Sequence, residues 1–214
     1  MNIGVLGSGM VGQALGGKLA ALGQSVVVGT RDPGKLAGWL AQAGPNARAG
    51  SFAEAAAHGQ VVINATNGGS SLAALQAAGA ANLNGKILID IANPLDFSKG
   101  MPPSLSISNT DSLGEQIQRA FPDVKVVKTL NTLNAYLMVD PGQLAGGDHT
   151  LFVSGNDGAA KAQVTQYLKE WFGWRDIIDL GDITTARGTE MYLPLWVRVY
   201  AALGRPAFQV KVVR

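Results

Sequence analysis

Two groups of residues in this chain have the types and spacing to hold a phosphorylated redox ligand. One is the run Gly7-Ser8-Gly9-Met10-Val11-Gly12, and the other is the pair Thr30-Arg31. The glycine run follows the apolar stretch Ile3–Leu6 and opens a stretch that reads as a helix, the strand–turn–helix context in which GxGxxG binds a dinucleotide. Gly7 permits the tight turn, Gly9 lets the backbone approach a pyrophosphate, and Gly12 with Gly16 lets the helix pack close to a sheet. Unpaired N–H groups and the dipole at the helix start would stabilise the diphosphate. The bland alternative is a glycine-rich turn with no ligand.

At the end of the next apolar run, Val26–Gly29, an NAD-binding chain usually carries Asp or Glu for the ribose hydroxyls. Here Thr30-Arg31 follows instead, a hydroxyl and a guanidinium that suit a 2′-phosphate through charge-assisted hydrogen bonds. Lys35, one helical turn on, offers a second cation. The sequence therefore predicts NADP rather than NAD, the alternative for Thr30 and Arg31 being a solvated strand end. Asp32, before Pro33, reads as a helix N-cap.

Three further loops carry neutral amides and small residues: Thr66-Asn67-Gly68-Gly69, Ala92-Asn93-Pro94 and Leu130-Asn131-Thr132. Such groups orient a carboxamide and a flat ring without donating protons. Reduction of a carbonyl usually needs Tyr, Lys or His beside the hydride, and none of these loops offers one. His58 and His149 read as surface and structural residues, Asp90 and Asp96 as caps or ion-pair partners. Lys128 ends a strand, and its orientation is unreadable. Exchange between a nicotinamide and a flavin-like ring chiefly needs stacked planes held at close range, so the lack of an acid–base pair favours cofactor-to-cofactor transfer. Asn93 and Asn131 are the expected catalytic orienters, with local turn chemistry as the alternative for each. No metal site is expected.

The elements that must position these groups alternate. Strands are predicted near Ile3–Leu6, Val26–Gly29, Val61–Ala65, Ile87–Ile91 and Val124–Lys128, and helices near 10–22, 33–43, 70–80 and 113–121. Strands apolar on both faces between helices imply an α/β, Rossmann-type doubly wound, mainly parallel sheet, with functional groups on loops at the strand C-termini. After about residue 145 the prediction is a strand at Thr150–Ser154, a helix at 159–172, a short strand at 176–180, a helix at 185–203 and a final strand at 208–212. The expected division is residues 1–145 as an NADP-binding domain and 146–214 as a small C-terminal α/β cap. That cap would contribute to the acceptor site and a dimer interface. Gly142–Gly147 is expected to be a flexible connector, Pro194 to kink the last helix, and Arg187 with Glu190 to pair along it. Trp171, Trp174 and Trp196 read as core or interface residues ahead of a platform for a ring.

With 17 Lys+Arg against 15 Asp+Glu and scattered cations, the chain has no footprint for nucleic acid or an anionic membrane. The absence of cysteine excludes disulfides and thiolate chemistry. No export signal or bilayer-length apolar run is legible, so a cytoplasmic setting is expected. Asn64-Ala65-Thr66 matches a glycosylation sequon by chance.

The glycine run, Val26-Val27-Val28-Gly29-Thr30-Arg31 and Val126-Val127-Lys128-Thr129-Leu130-Asn131-Thr132 together resemble the F420-dependent NADP oxidoreductase family, over most of the chain. Thr185–Glu190 followed by Leu193-Pro194-Leu195 is similar to the family's C-terminal helix, and the reductase domains of STEAP metalloreductases share the motifs. The resemblance implies NADP as cofactor and the deazaflavin F420 or a flavin as co-substrate. It puts Thr30, Arg31 and Lys35 at the 2′-phosphate, and Thr66, Asn67, Ala92, Asn93, Leu130 and Asn131 along the nicotinamide end. A homodimer is expected, since one short cap cannot close the acceptor pocket. Two other readings stay open: a reductase of a small substrate, for which Lys128 is the first acid–base candidate, and a non-catalytic NADP-binding sensor. The sequence leaves the acceptor and the direction and stereochemistry of transfer open.

Overall fold

The computed structural model describes all 214 residues. In chain order the elements are β1 (Asn2–Leu6), α1 (Met10–Ala21), β2 (Ser25–Gly29), α2 (Ala37–Ala43), β3 (Ala47–Gly50), α3 (Phe52–His58) and β4 (Val61–Asn64). Next come α4 (Ser71–Ala78), α5 (Ala80–Leu83), β5 (Ile87–Asp90), β6 (Leu95–Asp96), β7 (Ser104–Leu105), α6 (Leu113–Ala120) and β8 (Lys125–Thr129). The chain closes with α7 (Ala135–Val139), β9 (Thr150–Ser154), α8 (Gly158–Tyr167), β10 (Asp176–Asp179), α9 (Ala186–Met191) and α10 (Leu193–Leu203).

Eight strands form one sheet in the order β10-β9-β8-β5-β4-β1-β2-β3, parallel except where β9 runs against β8; β6 and β7 make a separate hairpin. The strand order reverses between β1, which pairs outward with β2, and β4, and this switch point opens the crevice where ligands bind in such sheets. The strands are apolar on both faces because both are covered. Side chains alternate, so Val26 and Val28 join the layer under α1, α7 and α8, while Val27 joins that under α3, α4 and α6.

After α7 the chain adds β9 and β10 to this same sheet. Residues 208–212 do not form the predicted strand. β9 is flanked by β8 at its C-terminal end and by β10 along its length, so the tail only crosses its start, Thr150 N–H donating to the Val210 carbonyl at 2.9 Å. Gly142–Gly147 is folded into two tight 3-10 turns, Pro141–Gln143 and Ala145–Gly147, instead of an open connector. The helix expected over 185–203 is interrupted at Tyr192, whose backbone stays helical (φ −65°, ψ −25°), and Pro194, which has no N–H to continue the ladder, falls in the first turn of α10. No helix is long and apolar enough to cross a membrane.

Candidate functional site

The glycine turn leaves β1 with Gly7 at φ +117°, a conformation that favours glycine. A Cβ there would lie 2.5 Å from the Ala65 carbonyl oxygen, and one on Gly12 would lie 1.9 Å from that of Gly7, so both glycines are demanded by close backbone approach. A Cβ on Gly9 would meet nothing within 4 Å. Gly9 is also the N-cap of α1 and gives it no side-chain cap, leaving the first N–H groups free to receive a phosphate. The turn thus has the open cradle a pyrophosphate needs. Ser8 and Thr30 share a 3.0 Å hydroxyl–hydroxyl hydrogen bond, and Gln13 Nε2 donates to the Ser8 carbonyl at 2.8 Å, fixing the loop to the end of β2.

A cavity of about 430 Å³ runs along this turn, lined by Gly7, Ser8, Gly9, Thr30 and Arg31 on one side and by Thr66 and Asn67 on the other. Lys35 is not among its lining residues; it is 79 % exposed and lies 3.8 Å from Asp32, whose other oxygen accepts the Gly34 N–H as an N-cap. The turn backbone carries Met10 outward, largely exposed, and Val11 toward the neighbouring cavity, while Gly12 is buried against β1. Phe52 and a face of small residues, Ser70 at the N-cap of α4 with Ala73, Ala74 and Ala77 on it, also line the space. Sequence reasoning passed over these, although their i, i+3, i+4, i+7 spacing was legible.

A second cavity of about 280 Å³ shares Ala65, Thr66 and Asn67 with the first, so the two are adjoining halves of one crevice. Ala92, Asn93 and Asn131 line it. Asn93 Nδ2 donates to the Asn131 carbonyl at 2.8 Å, and Asn131 Nδ2 donates back to Asn93 Oδ1 at 3.0 Å. This paired clasp joins the β5 and β8 loops. Leu130, expected along the nicotinamide end, is instead buried and lines neither cavity; it turns the chain through φ +59°, a costly conformation for a leucine. A Cβ on Gly68 would lie 2.0 Å from the Asn93 carbonyl oxygen, so the close approach of this loop to the β5 loop demands glycine. Asn67 caps the turn of Gly68–Ser70 through Gly69 N–H at 3.0 Å. The opposite wall, Leu95, Phe97, Leu193 and Trp196, is apolar and aromatic and was not singled out as a wall from sequence.

Arg31 is the one titratable side chain lining either half of the crevice. Lys128 points away into the protein: it is 1 % exposed, with Nζ 2.8 Å from both Asp90 Oδ2 and Glu190 Oε1. Burial opposes its charge, but the two facing carboxylates outweigh this and hold its pKa above the ordinary lysine range. His149 is buried, its Nε2 at 3.0 Å from the Pro141 carbonyl and its ring edge-on to Trp174, and His58 sits against Ser25 at the surface. Asp96 accepts the Ser98 N–H. Glu190 does not pair with Arg187. It reaches the start of α6, accepting the N–H groups of Leu113 (2.8 Å) and Gly114 (3.0 Å), while Arg187 grips Glu115, because α9 packs across α6 and tertiary partners displace the intrahelical one. Trp171 and Trp174 are buried in the core, whereas Trp196 stacks on Phe208 beside the second cavity.

Residues 2–94 match the sequence model of the family described as NADP oxidoreductase, coenzyme F420-dependent. The crystal structure of a candidate F420-dependent NADP-reductase from Arthrobacter sp. FB24 is 60% identical over 100% of both chains, with a TM-score of 0.96. The metalloreductase STEAP3 of Rattus norvegicus is 31% identical over 95% of this chain, which spans only 39% of that protein's length. An imine reductase from a Pseudomonas species matches in fold at 20% identity, with a TM-score of 0.65 over 94% of this chain and 62% of its own.

Proposed function

Because the chain belongs to the family of F420-dependent NADP oxidoreductases, we propose that it exchanges a hydride between NADP(H) and a flavin-like or deazaflavin acceptor, F420 being the acceptor named by the family. The observation that carries this reading is a crevice whose inner half has amides on one wall, an apolar aromatic wall opposite, and no acid or base. Such a chamber offers flat rings an apolar face to stack on, and it lacks the proton donor that carbonyl reduction would require.

NADPH, when bound, supplies the hydride from its nicotinamide ring. The backbone of Gly7–Gly12 cradles the diphosphate, with Ser8, Met10 and Val11 carrying the N–H groups, while Thr30 and Arg31 bind the 2′-phosphate and Lys35 adds charge from solvent. Thr66, Asn67, Ala92, Asn93 and Asn131 frame the nicotinamide end. The Asn93–Asn131 clasp orients the ring, and the backbone turn at buried Leu130 presents Asn131. We assign residues 1–145 to cofactor binding and 146–214 to completing the acceptor wall and a homodimer contact. Dependence on NADPH points to the cytoplasm.

The test follows NADPH absorbance in the presence of F420, FMN, FAD or a ferric chelate. Rapid oxidation by a ring acceptor is expected. Tight binding without oxidation by any of the four would turn the assignment to a sensor, and turnover of small imines or carbonyls alone would turn it to a small-substrate reductase.

A further inference from the structure

The cluster of Lys128, Asp90 and Glu190 takes no part in the chemistry above, yet it is the most deeply buried group of charges in the protein, none of its side chains more than 2 % exposed. Burying three ions carries a large desolvation cost, and apolar replacements of such clusters are often equally stable, so fold stability alone is a weak reason for one. What sets this cluster apart is where its partners lead. Asp90 ends β5 and accepts Asn64 Nδ2 at 2.8 Å, and Asn64 Oδ1 in turn accepts the Thr66 hydroxyl at 2.7 Å. The Lys128 ammonium also donates to the carbonyl of Ala92, the residue before Asn93. Its third partner, Glu190, sits on α9 just ahead of Leu193 and Trp196 on the acceptor wall.

We propose that Lys128 is a positioning residue for hydride transfer: from behind the crevice it locks the nicotinamide-side loops at Thr66 and Ala92–Asn93 to the helices bearing the acceptor wall, and so fixes the spacing of the two rings. Every polar atom in the chain of contacts has a partner. Asp90 Oδ1 also takes the Ala92 N–H at 3.3 Å, and Glu190 spends both oxygens on Lys128 and the start of α6. The lock is therefore stiff in the sense that no member can rotate without abandoning a buried hydrogen bond.

In its rate arm the inference rests on the hydride-transfer reading; a second arm does not. The full chain is compared with Asp90→Asn, Glu190→Gln and Lys128→Met by NADPH affinity, by the emission of bound NADPH, which reports immobilisation of the dihydronicotinamide, and by turnover with the best ring acceptor. Misplacement of reacting atoms by a fraction of an ångström costs kcat while leaving the distant phosphate grip intact, so NADPH Kd stays within about threefold, kcat falls about tenfold or more, and the emission enhancement is lost. Unchanged emission and kcat in cooperatively melting Asp90→Asn and Glu190→Gln variants would overturn the proposal. So would parallel losses in Kd and kcat, which would make the cluster general scaffold. Where Lys128→Met fails to fold, the two shape-conserving variants carry the same comparison. If the native chain reduces no acceptor, the hydride-transfer reading falls, and the emission arm still decides the positioning role.

Discussion

Arg31 and Lys35 look alike in the sequence and differ in the structure. Arg31 borders the crevice beside Thr30, whereas Lys35 is in solvent near Asp32. A planar guanidinium with two hydrogen bonds to a phosphate is worth more than a solvated ammonium, so Arg31→Ala should weaken NADPH by about 1.5–3 kcal/mol while leaving NADH unaffected, and Lys35→Ala should cost under about 1 kcal/mol. Titration of each variant with both dinucleotides checks this, and equal losses for NADPH and NADH with Arg31→Ala would remove the 2′-phosphate assignment. The glycine turn and Thr30-Arg31 could be read from sequence because their meaning is local: strand, turn and helix start lie within a few residues. Lys128 could not. Which way a residue at a strand end faces depends on the neighbouring strands, and its partners Asp90 and Glu190 are far away in the chain.

Among the elements, the long apolar strands announced themselves, and β3 did not. Its sequence, Ala47-Arg48-Ala49-Gly50, carries no β-branched residue, and it is a strand only because β2 offers a free edge, pairing Val26 to Ala47 through Gly29 to Gly50. The hairpin of β6 and β7 is illegible for a different reason, two residues a side being too few to set a period. The joint between α6 and α9 was misread because an i, i+3 pair seemed available, when Arg187 in fact holds Glu115 through Nε at 2.8 Å. That hydrogen bond, against the opposing effect of burial and with help from Ser112, keeps the Glu115 carboxyl below its ordinary value. A carboxylate whose folded pKa is depressed stabilises the fold above its unfolded value, and the contribution is lost as pH falls through the folded one. Arg187→Ala should therefore destabilise the protein at pH 7, since it leaves the Glu115 carboxylate with Ser112 as its one side-chain partner. The gap between native and variant should narrow as pH drops below about 4.5. Melting curves across that range test the joint, and a gap independent of pH would mean that the lost energy is packing rather than charge.

On the scale of the whole molecule, the crevice is built by the sheet's switch point, but its acceptor half is left open by the fold that makes it. The doubly wound sheet supplies loops from β1, β4, β5 and β8, all on the cofactor side, and only α10 and the loop after Asn93 reach the far side. The same helix turns Leu195, Tyr200 and Leu203 outward, 58 %, 40 % and 50 % exposed, and Phe97 and Met101 are exposed on that loop. The proposed homodimer would cover these apolar side chains, and a two-fold contact would finish both pockets at once. At micromolar concentration the protein should therefore sediment as a dimer. A charge placed on this exposed apolar surface, as in Leu195→Asp, should yield a monomer that keeps its melting transition and its NADPH affinity, because the glycine turn and Arg31 belong wholly to one chain. The kcat/KM for a ring acceptor should fall about tenfold in that monomer, mostly through KM, since what is lost is one wall of binding surface present equally in ground and transition states. A native protein that sediments as a monomer with full activity would show instead that α10 closes the pocket alone, and the exposed leucines would then need another partner.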